Sequence, residues 1–183
     1  MEYNTLLMLM TIIFSIITLF TSIAVFNKKK YNFLIENLVT YIFYLIFLLV
    51  QYNLKFHVSI FIILLVLITI ICNNLIGNYL NVYNSSKHYD RFLHALGSFS
   101  FSLFYYSILD KVTMLTIYPH FYVSIFVASI GISLGCIYEI YEFILDSTTK
   151  SNNQHGLKDT NFDLISDVIG STIAGIFSMS IFF

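Results

Sequence analysis

Apolar residues run along this chain in six stretches, each near the roughly 20 residues that a bilayer crossing requires, with polar breaks between them. The stretches are about Thr5 to Phe26, Phe33 to Tyr52, Val58 to Ile76, Arg91 to Leu109, Phe121 to Leu145 and Leu164 to Phe183. A closed β-barrel would show shorter, alternating segments, so each stretch is predicted as a helix. The first loosely mimics a secretory leader, with Ser22-Ile23-Ala24 in the place of a cleavage site. However, its head carries Glu2 and no Lys or Arg, and its apolar run is too long for a leader. It is read as a helix like the others. The expected architecture is all-α, a polytopic membrane bundle of about six transmembrane helices forming a single domain over residues 1–183. No internal repeat, Gly/Ser linker or soluble domain interrupts it.

Composition agrees. The chain is 58% hydrophobic and 10% charged, against about 45–50% and 25% in soluble domains. A net charge of -1 gives no reason to invoke nucleic acid, so the nine Lys and Arg matter through where they lie. Lys28, Lys29, Lys30, Lys87, Arg91, Lys150 and Lys158 fall in or beside the loops after the first, third and fifth stretches; the opposite side holds Lys55 and Lys111. The positive-inside rule then puts those loops in the cytoplasm and both termini outside. Cys72 and Cys136 sit inside apolar stretches and read as packed thiols rather than a disulfide or metal pair.

Against this background, a few polar positions stand out. No charged residue occurs from Phe121 to Tyr138, and then Glu139, Glu142 and Asp146 appear on an apolar segment. Positions three or four apart share a helix face. Walking back from these acids leads to Gly135, Gly131, Ala128 and Ser124, a small-residue stripe suited to packing against other helices. The last stretch repeats the design, with Asp159, Asp163 and Asp167 continuing into Gly170 and Ala174. The fourth begins with Asp90, His94 and Gly97 on one face. In the expected topology all three polar stripes fall at one membrane level, and Glu36 lies on that side too.

An ordinary explanation covers part of this. Acids at helix N-termini complement the dipole and cap free N–H groups, which fits Asp90 and Asp159 as well as a functional role does. It fits less well for His94 and Asp167, a turn further in. It fits worst for Glu139, about 10 Å along the helix from Asp146 at 1.5 Å per residue, because intramembrane ionisable groups are costly and usually functional. Converging carboxylates share protons, meet a cationic side chain such as Arg91 or Lys158, or bind a cation. An oxygen-rich set with one imidazole suits Mg²⁺ or Mn²⁺, with Zn²⁺ or iron less favoured. The candidate ligands are His94, Glu139, Glu142, Asp163 and Asp167. His94, Arg91 and Asp90 are the candidate catalytic groups, and Arg91, Asp159 and Lys158 the candidate substrate contacts. His57, His88, His120 and His155 lie at edges or in loops and read as solvated. No phosphate-cradling Gly loop, CxxC, HExxH or nucleophile elbow occurs.

Three blocks, "YDRFLHALGSFSFSLFYY", "GISLGCIYEIYEF" and "DTNFDLISDVIGSTIAG", resemble the motif blocks of the VanZ-like superfamily. Those are an Asp-Lys-x-x-His opening, a Glu-x-x-Gln helix end and an Asp-x-x-x-Asn-x-x-Gly final helix. The chain is most similar to the YjdF-like branch of bacterial membrane proteins, through Glu139, Glu142, Asp159, Thr160 and Asp163. Residues 88 to 176 carry the likeness. Arg91 replaces the usual Lys and Asp167 stands where VanZ has Asn, so glycopeptide resistance does not transfer automatically. The resemblance implies a small helical envelope protein. Three functional readings stay open: a metal-dependent enzyme on a lipid-linked or phosphorylated substrate at the cytoplasmic leaflet, a non-enzymatic receptor or resistance protein for an envelope lipid or amphiphilic drug, and an ion-coupled carrier. Membrane lipids are the expected partners.

Overall fold

The computed structural model describes residues 2–114, 117–149 and 153–183; Lys150, counted above among the loop charges, lies outside them. The described residues form helices and connecting turns with no strand. Six helical segments are long and apolar enough to cross a membrane. They are α1 (Tyr3–Asn27), α2 (Tyr31–Asn53), α3 (Ile60–Ile71, continuing as a π-helix over Cys72–Tyr79), α5 (Lys87–Thr113), α6 (Phe121–Thr148) and α7 (Leu157–Phe182), with a single turn, α4 (Val82–Ser85), between the third and fourth. Their outward faces carry Ile, Leu and Phe, as in Ile16, Phe43, Ile140 and Ile176, each more than half exposed. A water-facing surface would not tolerate so many apolar side chains, whereas lipid does. The chain divides into two compact units, residues 1–89 and 90–183.

In the first unit, polar side chains join the helices. Lipid supplies no hydrophobic drive between apolar helices, so interhelical hydrogen bonds and close packing hold such a unit together. Asn37 of α2 is 3% exposed, and its amide donates to Ser22 Oγ (2.7 Å), Thr21 Oγ1 (2.9 Å) and the Thr18 carbonyl (3.2 Å) of α1. Its own oxygen accepts from Asn74 Nδ2 of the π-helix at 2.9 Å. Thr11 and Ser15 of α1 meet the hydroxyls of Tyr44 and Tyr41. Glu36, read from the sequence as lying on the same side as the other acids, accepts here from Asn73 Nδ2 (2.7 Å) and Asn78 Nδ2 (3.2 Å). The π-helix widens the turn so that three asparagines from one short segment reach α2.

In the second unit, the small-residue faces of α5, α6 and α7 pack against one another. At Gly170 of α7 a Cβ would collide with the Ala95 carbonyl of α5, so only glycine permits this approach. Gly135 of α6 does the same for the Asp167 side chain, which fills the space a Cβ would take. Cys72 and Cys136 are both free. Cys136 is exposed on α6 rather than packed, because Gly135 beside it takes the inward position.

Candidate functional site

Three helices of the second unit each bring one polar stripe to the same place. His94 stands about 10 Å into α5 from Lys87 at 1.5 Å per residue, and it is 8% exposed. Glu139 of α6 and Asp163 of α7 are each 4% exposed, and Asp167 of α7 is 2% exposed. Burial to this degree is uncommon for carboxylates unless they are paired. The glycine seam explains how the backbones come close enough for these short side chains to meet.

His94 is the hub. Its Nδ1 lies 3.2 Å from Asp167 Oδ2, and a carboxylate accepts, so Nδ1 carries the proton in this contact. Its Nε2 faces Glu139 Oε1 at 3.7 Å and Asp90 Oδ1 at 3.9 Å, beyond good hydrogen-bonding distance for either. Tyr138 packs edge-on against the imidazole, 5.6 Å between centroids. Asp90, His94 and Asp163 each offer a donor atom, and these three atoms lie within 4.8 Å of one another. Among the described residues, two buried carboxylate oxygens, Glu139 Oε1 and Asp163 Oδ1, have no hydrogen-bond partner.

Arg91 turns toward α7 rather than toward the hub. Its Nη2 reaches Asp159 Oδ1 at a long 3.5 Å, its guanidinium stacks 4.2 Å over the Phe162 ring, and its Nε is buried without a partner among the described residues. Asp159, 6% exposed, also meets His155 Nδ1 at 3.3 Å, and His155 itself is exposed, as expected. Glu142 is half-buried and near enough to feel the charges of Glu139, His94, Asp90 and Asp163. Lys158 is exposed and makes no ion pair among the described residues.

Sequence spacing gave no sign of the contacts made by the loop before α7. Gln154 Nε2 donates to the Glu139 carbonyl and to Glu139 Oε2, both at 3.0 Å. Asp146 accepts from the backbone N–H of Asn153 (2.9 and 2.8 Å) and of Gln154 (2.9 Å). Asp146 thus anchors the returning chain instead of joining the other acids. Thr160, in the first turn of α7, lies near the Glu139 carboxylate but makes no hydrogen bond to Oε1. Periodicity along a helix predicts a shared face; it is silent about a loop that folds back over that face.

Chemically, the cluster is a largely buried, oxygen-rich set of side chains with one imidazole nitrogen facing it and a guanidinium at its edge. It can hold a cation among its oxygens, pass protons between carboxylates through His94, or receive an anionic group at Arg91.

Over residues 6–182 the chain matches the family model described as Predicted membrane protein (DUF2238), a match that takes in the first three helices as well as the site. It is 34% identical over 104 residues to a Thermotoga maritima protein named "Uncharacterized protein". That alignment covers 56% of this chain and 53% of the relative, so the match spans about half the relative's length. No solved structure matches the chain. Because the family model covers nearly all of it, the chain belongs to the Predicted membrane protein (DUF2238) family.

Proposed function

We propose that the cluster is the divalent-cation centre of a membrane-embedded enzyme acting on a lipid-linked or phosphorylated substrate near the membrane boundary. The observation that carries this reading is the pair of orphaned buried oxygens, Glu139 Oε1 and Asp163 Oδ1, beside an imidazole Nε2 that lacks a close partner. Buried carboxylate oxygens without a donor are costly, and a cation would satisfy several at once. Ligand atoms around Mg²⁺ stand at most about 4.2 Å apart, twice a bond of about 2.1 Å. The atoms of Asp90, His94 and Asp163, within 4.8 Å, would have to close only slightly. Glu139 and Glu142 add further oxygen. Asp167 would hold the His94 tautomer from behind, the arrangement by which carboxylates orient metal-bound histidines. The oxygen-dominated set favours Mg²⁺ or Mn²⁺ over Zn²⁺ or iron.

In this reading the cation supplies Lewis acidity toward an anionic substrate oxygen. Arg91, a quarter exposed, would hold the anionic group at the accessible part of its guanidinium, with Asp159 and Phe162 fixing the guanidinium plane. Proton transfer would fall to whichever of His94 and Asp90 the cation leaves unligated. The likeness of the three motif blocks to the VanZ-like superfamily and its YjdF-like branch supports assigning the function to these stripes rather than to the first unit.

The test is metal analysis and Mn²⁺ titration of the purified protein, repeated with Glu139→Gln, which keeps shape and removes charge. The wild type should bind one divalent ion, and the variant should weaken it at least about tenfold. A folded wild type that binds no divalent ion would overturn the metal reading.

A second reading is favoured by the stacked, half-satisfied Arg91: a receptor for the anionic head of an envelope lipid or amphiphilic drug, without turnover. Molecules that co-purify with the protein separate the two. An intact ligand that persists with added Mn²⁺ supports the receptor; conversion to product supports the enzyme.

A further inference from the structure

We infer that Gln154 and Asp146 form a positioning strap for the cation centre, holding Glu139 so that its free oxygen is presented to the ion. The inference rests on the cation-centre reading above.

The carboxylate of Glu139 is used asymmetrically. Oε2 accepts from Gln154 Nε2 at 3.0 Å, and the same amide nitrogen donates to the Glu139 carbonyl at 3.0 Å. Both contacts are to acceptors, so the Gln154 amide must face them with its NH2. One side chain thus grips one residue at two points, and the carboxylate cannot rotate without breaking a hydrogen bond. What remains is Oε1, buried and unpartnered, 3.7 Å from His94 Nε2. The partnered oxygen points at the loop and the unpartnered one at the imidazole.

Gln154 is itself fixed. The Asp146 carboxylate accepts the backbone N–H groups of Asn153 and Gln154, and Asp146 stands seven residues beyond Glu139, on the same face of α6. The acid at the end of α6 therefore anchors the loop, the loop carries the amide, and the amide orients the acid two turns deeper. Asp163 supports the assignment of a ligand here: it is 4% exposed and its Oδ1 has no partner. Loop hydrogen bonds that merely tied α6 to α7 would have no need to leave two inward oxygens free.

The experiment uses the full chain in detergent micelles, with Mn²⁺ as the probe, its affinity measured by isothermal titration and the thermal midpoint recorded without metal. Gln154→Met keeps length and removes the donor; Asp146→Ala releases the loop; Gln154→Ala is read as well, so that misfolding of one variant does not decide. Each variant should weaken Mn²⁺ binding about 10- to 100-fold while leaving the metal-free midpoint near that of the wild type. Gln154→Met combined with Asp146→Ala should bind no more weakly than the worse single variant, since both break one chain of contacts. Wild-type affinity in both Gln154 variants, additive losses in the double variant, or a loss of affinity matched by a fall in the metal-free midpoint would each overturn the strap. Failure of the wild type to bind Mn²⁺ is a separate result, which would remove the cation centre itself.

Discussion

Asn37 and His94 show how differently one buried polar residue can be used in a membrane protein. Asn37 spends its amide group on three acceptors of α1 and its oxygen on Asn74, so its hydrogen-bonding capacity is consumed inside the first unit. His94 spends Nδ1 on Asp167 and leaves Nε2 facing acids that lie too far for a good bond. A saturated residue reads as interhelical glue; an unsaturated one reads as a place for something else. Asn37→Leu should therefore lower unfolding stability in detergent by about 0.5–2 kcal/mol, the range of interhelical hydrogen bonds in membranes, and leave Mn²⁺ affinity unchanged. Chemical denaturation alongside a metal titration checks both halves of that expectation.

At the scale of the helix, α7 shows how small residues set a close approach. Its small residues Gly170, Ser171, Ala174, Gly175 and Ser178 are all buried, and Gly170 lies against backbone rather than against a side chain that could rotate away. A methyl group there has to separate α5 from α7, and overpacking of this kind costs about 1–3 kcal/mol. Gly170→Ala should accordingly lower the thermal midpoint and weaken cation binding, because His94 and Asp167 sit on the two helices being separated. Ile165→Ala, on an exposed face of the same helix, should change stability by no more than about 0.5 kcal/mol. Equal midpoints for the two variants would show that the close approach at Gly170 does not hold the helices.

For the molecule in its membrane, the distribution of Lys and Arg predicts that the loop before α7 faces the cytoplasm. In a background with Cys72 and Cys136 replaced by alanine, Asn153→Cys should be protected from an impermeant thiol reagent added to intact cells, and Thr113→Cys should react. The reverse pattern would put the acid cluster at the outer leaflet and direct the search for substrates to exported envelope components. Breaking the membrane should equalise the two positions, which serves as the internal control.

Much of this was legible in the sequence. Six apolar stretches of spanning length could only become helices, since lipid leaves no other way to satisfy their backbones except a closed barrel. Spacing by three and four put Asp90 with His94, Glu139 with Glu142, and Asp159 with Asp163 and Asp167, each on one face, because the helical period is a local property. The tertiary structure decided what each of those residues touches. It turned Asp167 onto His94, moved Arg91 to Asp159 and Phe162, left Lys158 outside, and placed Glu36 in an asparagine network around a π-helix that no local pattern announces. It also brought Gln154 and Asp146 together over Glu139. Those assignments depend on how far helix axes stand apart and where a loop returns. Both are set by non-local packing at positions such as Gly135 and Gly170, where the absence of a side chain determines which neighbours meet.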